Sequence, residues 1–168
     1  LSNSWWFNVV STQFNLINDP DYRPNVGIML VDNNRRVLAG EAFHYRDEWM
    51  MPQGGIDDGE TTLQAMQREL FEETSLLPEQ ARVVKEHDKW LSYRFREPLK
   101  KDGILYIGQR QKWFLLEYNG PLPDADKTQD KEFTQFDWVT PEWLIDNTTR
   151  FKAEVYKIIF AEFNMLTP

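Results

Sequence analysis

Three glutamates follow Arg68: Glu69, and then Glu72 and Glu73 at steps of three and four residues from it. On a helix those steps put the three carboxylates on one face, within about a turn and a quarter. There they repel one another. They also fall in the last turns of the helix their surroundings predict, where the macrodipole opposes each negative charge by roughly 0.3–1 kcal/mol. A divalent cation reverses that balance, because a hard ion takes carboxylate oxygens as ligands, at about 2.0–2.1 Å for magnesium. Arg68 is placed to hold a neighbouring carboxylate by a charge-assisted hydrogen bond and so fix its orientation. Ahead of the acids runs Gly54-Gly55-Ile56-Asp57-Asp58-Gly59-Glu60, whose glycines allow positive φ and close backbone approach. A carboxylate-held cation beside such a loop suits hydrolysis at phosphorus, where it activates water and neutralises charge.

These residues need a helix and a loop to position them. Leu63, Met66 and Leu70 recur at helical steps, Thr61 and Gln64 have the form of a capping box, and neither Gly nor Pro occurs between Thr61 and Leu77. From Thr61 to Thr74 the pattern predicts a helix of about four turns, which Pro78 stops. Val26–Val31 and Arg36–Phe43, separated by Asp32-Asn33-Asn34, read as a β-hairpin. Runs rich in aromatic and β-branched residues predict strands at Arg82–Lys85, Trp90–Phe95, Ile104–Ile107, Lys112–Tyr118 and Phe133–Val139. From Thr148 to Phe163, the positions Phe151, Val155, Ile158, Ile159 and Glu162 or Phe163 predict an amphipathic helix against the sheet. The fold class is α/β or α+β, with a mixed sheet and two main helices.

Composition narrows the chemistry. A chain of 168 residues with 41% hydrophobic residues suits one domain, expected at residues 22–168 after an N-terminal extension at 1–21 that contains Trp5-Trp6-Phe7. With no cysteine, thiolate metal sites and disulfides are excluded, and the two histidines, His44 and His87, make a weak zinc argument. Both are expected at structural or surface positions. Twenty-seven acidic residues make oxygen ligation of magnesium or manganese the natural expectation. The net charge of −8 argues against a general nucleic-acid binder. Yet Lys89 to Lys112 holds seven basic residues and only two acidic ones, a local basicity suited to gripping an anionic substrate at one place. No apolar run approaches the roughly 20 residues needed to span a bilayer, and the first residues lack the marks of a signal peptide, so a cytoplasmic location is expected.

Gly54, Glu60, Arg68, Glu69, Leu70, Glu72, Glu73 and Leu76 stand at the spacing of the Nudix box, and the chain resembles the Nudix hydrolases. One position departs, Ser75, where the family has Gly; if it must be left-handed, the cost is about 1 kcal/mol. Further segments, among them Tyr22–Gly27, Pro52–Ile56, Trp90–Tyr93, Ile107–Phe114 and Phe151-Lys152, are similar to the bacterial RNA pyrophosphohydrolases and their relatives that cleave dinucleoside polyphosphates. The resemblance implies a Nudix fold, a mixed sheet between helices. It implies metal binding by Glu69, Glu72, Glu73 and Glu132 with a backbone carbonyl of Gln53 or Gly54, and Glu72 or Glu73 as the group that orients or deprotonates water. By the same likeness Arg23 and Lys152 contact phosphates, Tyr93 lies on the substrate side, and Phe151 stacks on a base. The ion is expected to be Mg²⁺, with Mn²⁺ as a substitute, and the substrate a nucleotide or the 5′ end of an RNA.

The three acids alone read as an ordinary solvated helix face; Gly54, Glu60 and Arg68 in register turn the reading to a metal site. Phe151 by spacing alone is a core residue, and Glu132 alone a loop acid. The leading activity is removal of phosphates from 5′-triphosphate or diphosphate RNA, leaving a monophosphate. Hydrolysis of diadenosine tetra- or pentaphosphate is the alternative within the class, and a non-catalytic nucleotide-sensing module the alternative outside it. The number of ions, the general base and the oligomeric state stay open.

Overall fold

The apolar run Val26–Val31 has no polar alternation, the signature of a strand covered on both faces. In the computed structural model, which describes residues 12–15 and 19–167, it forms most of strand β2 (Tyr22–Val31) and every residue from Asn25 to Val31 is buried. Its long partner is β8 (Ile104–Glu117), which runs parallel to it from Tyr22 opposite Gly108 to Val31 opposite Glu117. Among the described residues nine strands join one mixed sheet, with β1 (Thr12–Asn15), β7 (Trp90–Lys101), β8, β2, β3 (Val37–Ala42) and β4 (Trp49–Met50) in that order. Strands β5 (Gln53–Gly55), β6 (Arg82–Glu86) and β9 (Phe133–Val139) pair with β2, β8 and β3.

Alternation along β2 divides the core. Val26, Ile28 and Leu30 pack with Ala65, Met66 and Leu70 of helix α1 (Thr62–Thr74). Met29 and Val31 share the other cluster with Val155, Tyr156, Ile159 and Phe160 of helix α3 (Arg150–Glu162). Each fully buried Val, Leu, Ile, Phe or Met among them contributes roughly 1.5–3 kcal/mol. The result is the expected mixed sheet between helices, and no helix among the described residues is long and apolar enough to cross a membrane.

Local structure departs from the sequence expectation where tertiary pairing takes over. Strands β2 and β3 meet at one register pair, Val31 with Val37, and β3 spends its length on β9, so the expected hairpin is little more than its turn. That turn is held by Asp32, whose Oδ1 accepts from the amides of Asn34 and Arg36. Trp90–Phe95 and Ile104–Ile107 are parts of one long hairpin, β7–β8, and Ile107 and Lys112 belong to a single strand. Pro98 does not break β7, because it falls where the ladder is interrupted between Arg94 and Leu99 and no hydrogen bond is asked of it. Helix α1 ends at Thr74, the expected last residue, with Thr61 as its cap; Leu63 is exposed, and Ala65, Met66 and Leu70 make the apolar stripe. A short helix, α2 (Pro141–Asp146), was not anticipated, although Thr140 caps it and Pro141 opens it. At the end of α3 it is Phe163 that enters the core; Glu162 meets His87 Nε2 at 3.1 Å, which gives His87 a structural role. Within the segment assigned to the extension, β1 pairs antiparallel with β7; Trp5-Trp6-Phe7 lies outside the described residues.

Candidate active site

The loop and the acids are brought together by β5, which pairs antiparallel with β2 so that Gln53, Gly54 and Gly55 face the last turns of α1. Gly54 is glycine for want of room: a Cβ there would stand 1.9 Å from Glu69 Cδ. A Cβ on Gly55 would stand 2.5 Å from Arg23 Nη2. Of the three loop glycines only Gly59, at φ 81°, uses the left-handed region. The helix starts as predicted, with Thr61 accepting from the Gln64 amide and the Gln64 side chain accepting from the Thr61 amide. It ends on Ser75 at φ 63° and ψ 10°, the left-handed cap that the family fills with glycine. Ser75 Oγ donates to the Lys127 carbonyl at 3.0 Å, a bond that glycine cannot make and that offsets part of the strain.

Arg68 is the clasp of the site. Its Nε and Nη2 engage both oxygens of Glu60 at 2.6 and 2.9 Å, and Nη2 also donates to the Gly55 carbonyl at 2.8 Å. Its Nη1 reaches Glu69 Oε1 at 2.7 Å and Glu72 Oε2 at 3.2 Å. One planar guanidinium thereby ties the helix to the loop. This accounts for Glu60 in the motif: its carboxylate anchors the guanidinium, a task that spacing alone does not reveal. The Arg68 hydrogen bond holds the Glu60 carboxyl below its usual range, and the Glu60 bond in turn raises Arg68, which stays charged.

Glu69 and Glu73 are both buried. Burial raises the pKa of Glu69, opposed by Arg68 and assisted by the charges of Glu72 and Asp130. Glu73 is raised well above the usual carboxylate range, first by burial, then by the charges of Glu69, Glu132 and Asp130; its Oε2 accepts from the Gln53 amide at 3.2 Å. Both line a cavity of about 380 Å³ that also takes in Gln53, Gly54, Asp130, Glu132, Arg23, Lys101 and Lys152. Glu72 is not among its lining residues. Glu132 is carried to the cavity by a loop whose Asp130 amide donates to the Glu72 carbonyl at the end of α1, while the Glu132 carbonyl accepts from Phe43. Asp130 had no motif to announce it.

Among the described residues no three acidic or imidazole side chains converge closely enough to enclose an ion, since Arg68 holds Glu69 and Glu72 and the Gln53 amide holds Glu73. The chemistry of the donor set nevertheless fits a hard divalent cation. It offers carboxylate and carbonyl oxygens, and Glu73 is buried beside Glu69, Glu132 and Asp130.

Of the expected substrate residues, Arg23 and Lys152 line the cavity, whereas Tyr93 and Phe151 are not among its lining residues: Tyr93 is buried and Phe151 packs against the core. Arg23 lies over Gly55, and Lys152 reaches Glu48 at 3.3 Å; both line the cavity. The Phe151 and Tyr93 rings meet edge-on with centroids 4.9 Å apart, and Tyr93 Oη accepts from Gln109 Nε2 at 2.6 Å. Burial raises the Tyr93 hydroxyl above its usual pKa, and the nearby Arg23 charge opposes this. The basic stretch from Lys89 to Lys112 is not one surface, because the pleat divides it. Lys101, near the hairpin tip, lines the cavity, whereas Arg110 and Lys112 stand over the Trp90 ring at 4.5 and 5.6 Å and pair with strand positions of the α1 face.

Comparison with known proteins gives the arrangement a context. Residues 21–159 match the family model of the NUDIX domain. Over 151 residues the chain is 42% identical to the RNA pyrophosphohydrolase of Novosphingobium aromaticivorans, covering 86% of this chain and 94% of that one. Over 145 residues it is 39% identical to the RNA pyrophosphohydrolase of Francisella tularensis, covering 84% and 93%. Among solved structures, the E. coli dihydroneopterin triphosphate pyrophosphohydrolase superposes with a TM-score of 0.60 at 17% identity, covering 80% of this chain and 93% of that one, a likeness of fold.

Proposed function

The chain belongs to the NUDIX family, and on that premise we propose that it removes phosphates from the 5′ end of triphosphate or diphosphate RNA in a magnesium-dependent reaction, leaving a monophosphate. The observation that carries this reading is one cavity with buried Glu69 and Glu73 beside Asp130 and Glu132, and with Arg23 and Lys152 also in its lining. Phosphates bring negative charge to a place already negative, so they need both the cations and the ion. Glu69, Glu72, Glu73 and Glu132, with a carbonyl of Gln53 or Gly54, would hold magnesium or manganese. The bound ion supplies charge neutralisation and an acidified water.

The remaining steps belong to the chain's own residues. Arg68 holds Glu69 and Glu72 in register with the Gly55 carbonyl, so the carboxylates are oriented before substrate arrives. Arg23 and Lys152 bind the phosphate oxygens and align the chain of phosphates for in-line attack. Glu73 or Glu72 orients the attacking water and accepts its proton. Phe151, backed by Tyr93, presents a ring to the first base; stacking is sequence-tolerant because every base has a π face. Such a grip needs only the first nucleotides, which reconciles an RNA substrate with a net charge of −8. We assign catalysis to residues 22–168, with 1–21 as an extension that adds β1 to the sheet edge, and a cytoplasmic setting goes with this substrate.

Glu69→Gln and Glu73→Gln proteins should lose at least about 100-fold in hydrolysis of 5′-triphosphate RNA with magnesium. Full activity in either folded variant, read from released phosphate or pyrophosphate, ends the proposal.

A further inference from the structure

Behind the cavity wall lies a chain of amides whose direction is set by one indole. Trp113 is 1% exposed and its Nε1–H, which can only donate, points at Gln111 Oε1 at 3.2 Å. That bond fixes which end of the Gln111 carboxamide faces the indole, since the opposite placement would set two donors against each other. Gln111, also 1% exposed, must therefore turn its NH₂ the other way, and there it donates to Asn25 Oδ1 and Gln53 Oε1, each at 2.9 Å. Both of those residues are thereby obliged to turn their carbonyl ends inward. Their NH₂ ends point away from Gln111, and both residues line the cavity. Among the described residues neither Asn25 Nδ2 nor Gln53 Nε2 donates a hydrogen bond.

We infer that Asn25 and Gln53 present their NH₂ groups as phosphate-oxygen donors, and that Gln111, anchored by Trp113, is the positioning residue that sets this polarity. An ionised phosphate only accepts, so a wall of amide donors fits it and a wall of amide carbonyls would reject it. The sequence makes the arrangement feasible because Asn25 and Gln111 are opposite one another across the parallel β2–β8 pair, and Gln53 is two β2 residues away across β5. Neutral donors add no charge to be desolvated, and they take the phosphates without competing with Arg23 and Lys152 for the acids. The inference rests on reading the cavity as a phosphate site, and it names two residues and a direction which that reading leaves open.

The test is side-chain amide NMR of the whole protein with magnesium, titrated with inorganic pyrophosphate. The NH₂ resonances are assigned by their loss in Asn25→Asp, Gln53→Glu and Gln111→Glu proteins. The expected result is that the Asn25 and Gln53 NH₂ signals shift on binding while that of Gln111 stays near its place. Pyrophosphate bound with both signals unmoved overturns the inference, and so does failure of pyrophosphate to bind. Gln111→Glu offers the indole one oxygen and the two amides the other, so Asn25 and Gln53 must reverse; KM should rise about tenfold or more, with kcat changed much less. Trp113→Phe repeats the test without added charge by freeing Gln111 to turn, and should raise KM in the same direction. A fall in kcat alone, or unchanged KM in both folded variants, refutes the positioning role. Pyrophosphate shifts in a protein that leaves 5′-triphosphate RNA intact would keep this inference and discard the RNA reading.

Discussion

Replacing Glu73 by Gln should make the metal-free protein more stable while it destroys the activity. In the folded chain Glu73 is 5% exposed, and its carboxylate meets burial first, then the charges of Glu69, Glu132 and Asp130. Its favourable contact is the Gln53 amide at 3.2 Å, which a glutamine Oε1 accepts equally well. The substitution therefore removes a buried charge and its repulsions, keeps the hydrogen bond, and leaves the new NH₂ beside acceptor carboxylates. Relief of such a functional strain is worth about 0.5–2 kcal/mol. For a chain of this size 1 kcal/mol moves Tm by roughly 2–4 °C.

The dependence on pH follows from the direction of the shift. A carboxyl whose folded pKa lies above its unfolded value favours folding below the unfolded pKa, near 4.5, and loses that contribution as pH rises through the folded value. Metal-free wild type should therefore weaken from mildly acidic towards alkaline pH, with Glu69 adding in the same sense, and Glu73→Gln should flatten the decline. Magnesium should raise the Tm of wild type and much less that of the variant, because only the former binds it well. Thermal unfolding in chelator and in magnesium, between pH 5 and 8, reads all of this. A variant no more stable than wild type in chelator at pH 8, or an equal magnesium shift in both, refutes the reasoning.

Gly54→Ala should fold with a small loss of stability but lose activity by about 10- to 100-fold, measured as hydrolysis at saturating magnesium, because the methyl displaces the Glu69 carboxylate from its seat. Arg68→Lys should cost a similar factor, read as a weaker magnesium affinity, since an ammonium cannot bridge Glu60, Gly55, Glu69 and Glu72 together. At the helix cap, Ser75→Gly exchanges about 1 kcal/mol of left-handed strain for a lost hydrogen bond of about 0.5–1.5 kcal/mol and should leave Tm nearly unchanged. Ser75→Ala keeps the strain and loses the bond, so it should unfold at a lower temperature than either, by denaturant or heat.

How much of this the sequence disclosed depends on how local each cause is. Thr61, Gln64, the glutamate spacing and the position of Ser75 act within a helical turn or two, and the structure realises the cap at each end of α1. Strand runs such as Phe133–Val139 are equally local in composition and appear at the expected bounds. Partnership is not local. Nothing near Val31 says that β2 will run beside β8 across some 80 intervening residues, and the Asp32–Asn34 turn suggested the nearer partner β3. Pro98 looked like a strand end because the interruption between Arg94 and Leu99 that accommodates it exists only in the pairing with β8.

The same distinction governs the site. The carboxylates proposed as ligands were legible because acids sharing one helix face leave their period in the sequence, whereas their supports come from other elements. Glu60 stands eight residues from Arg68 and its partnership needs the loop to fold back; Asp130 lines the cavity from a distant loop tied to α1 by its amide on the Glu72 carbonyl. The Trp113–Gln111–Asn25–Gln53 chain draws on β8, β2 and β5, three strands with no shared spacing. Groups that bind an ion must crowd together and so tend to share an element, while groups that fix orientation must brace one element against another. A site's ligands are for that reason easier to read from sequence than the residues that aim them. Among those aiming residues, the ones that leave a trace are those, like Arg68, that sit on the same helix as the groups they hold.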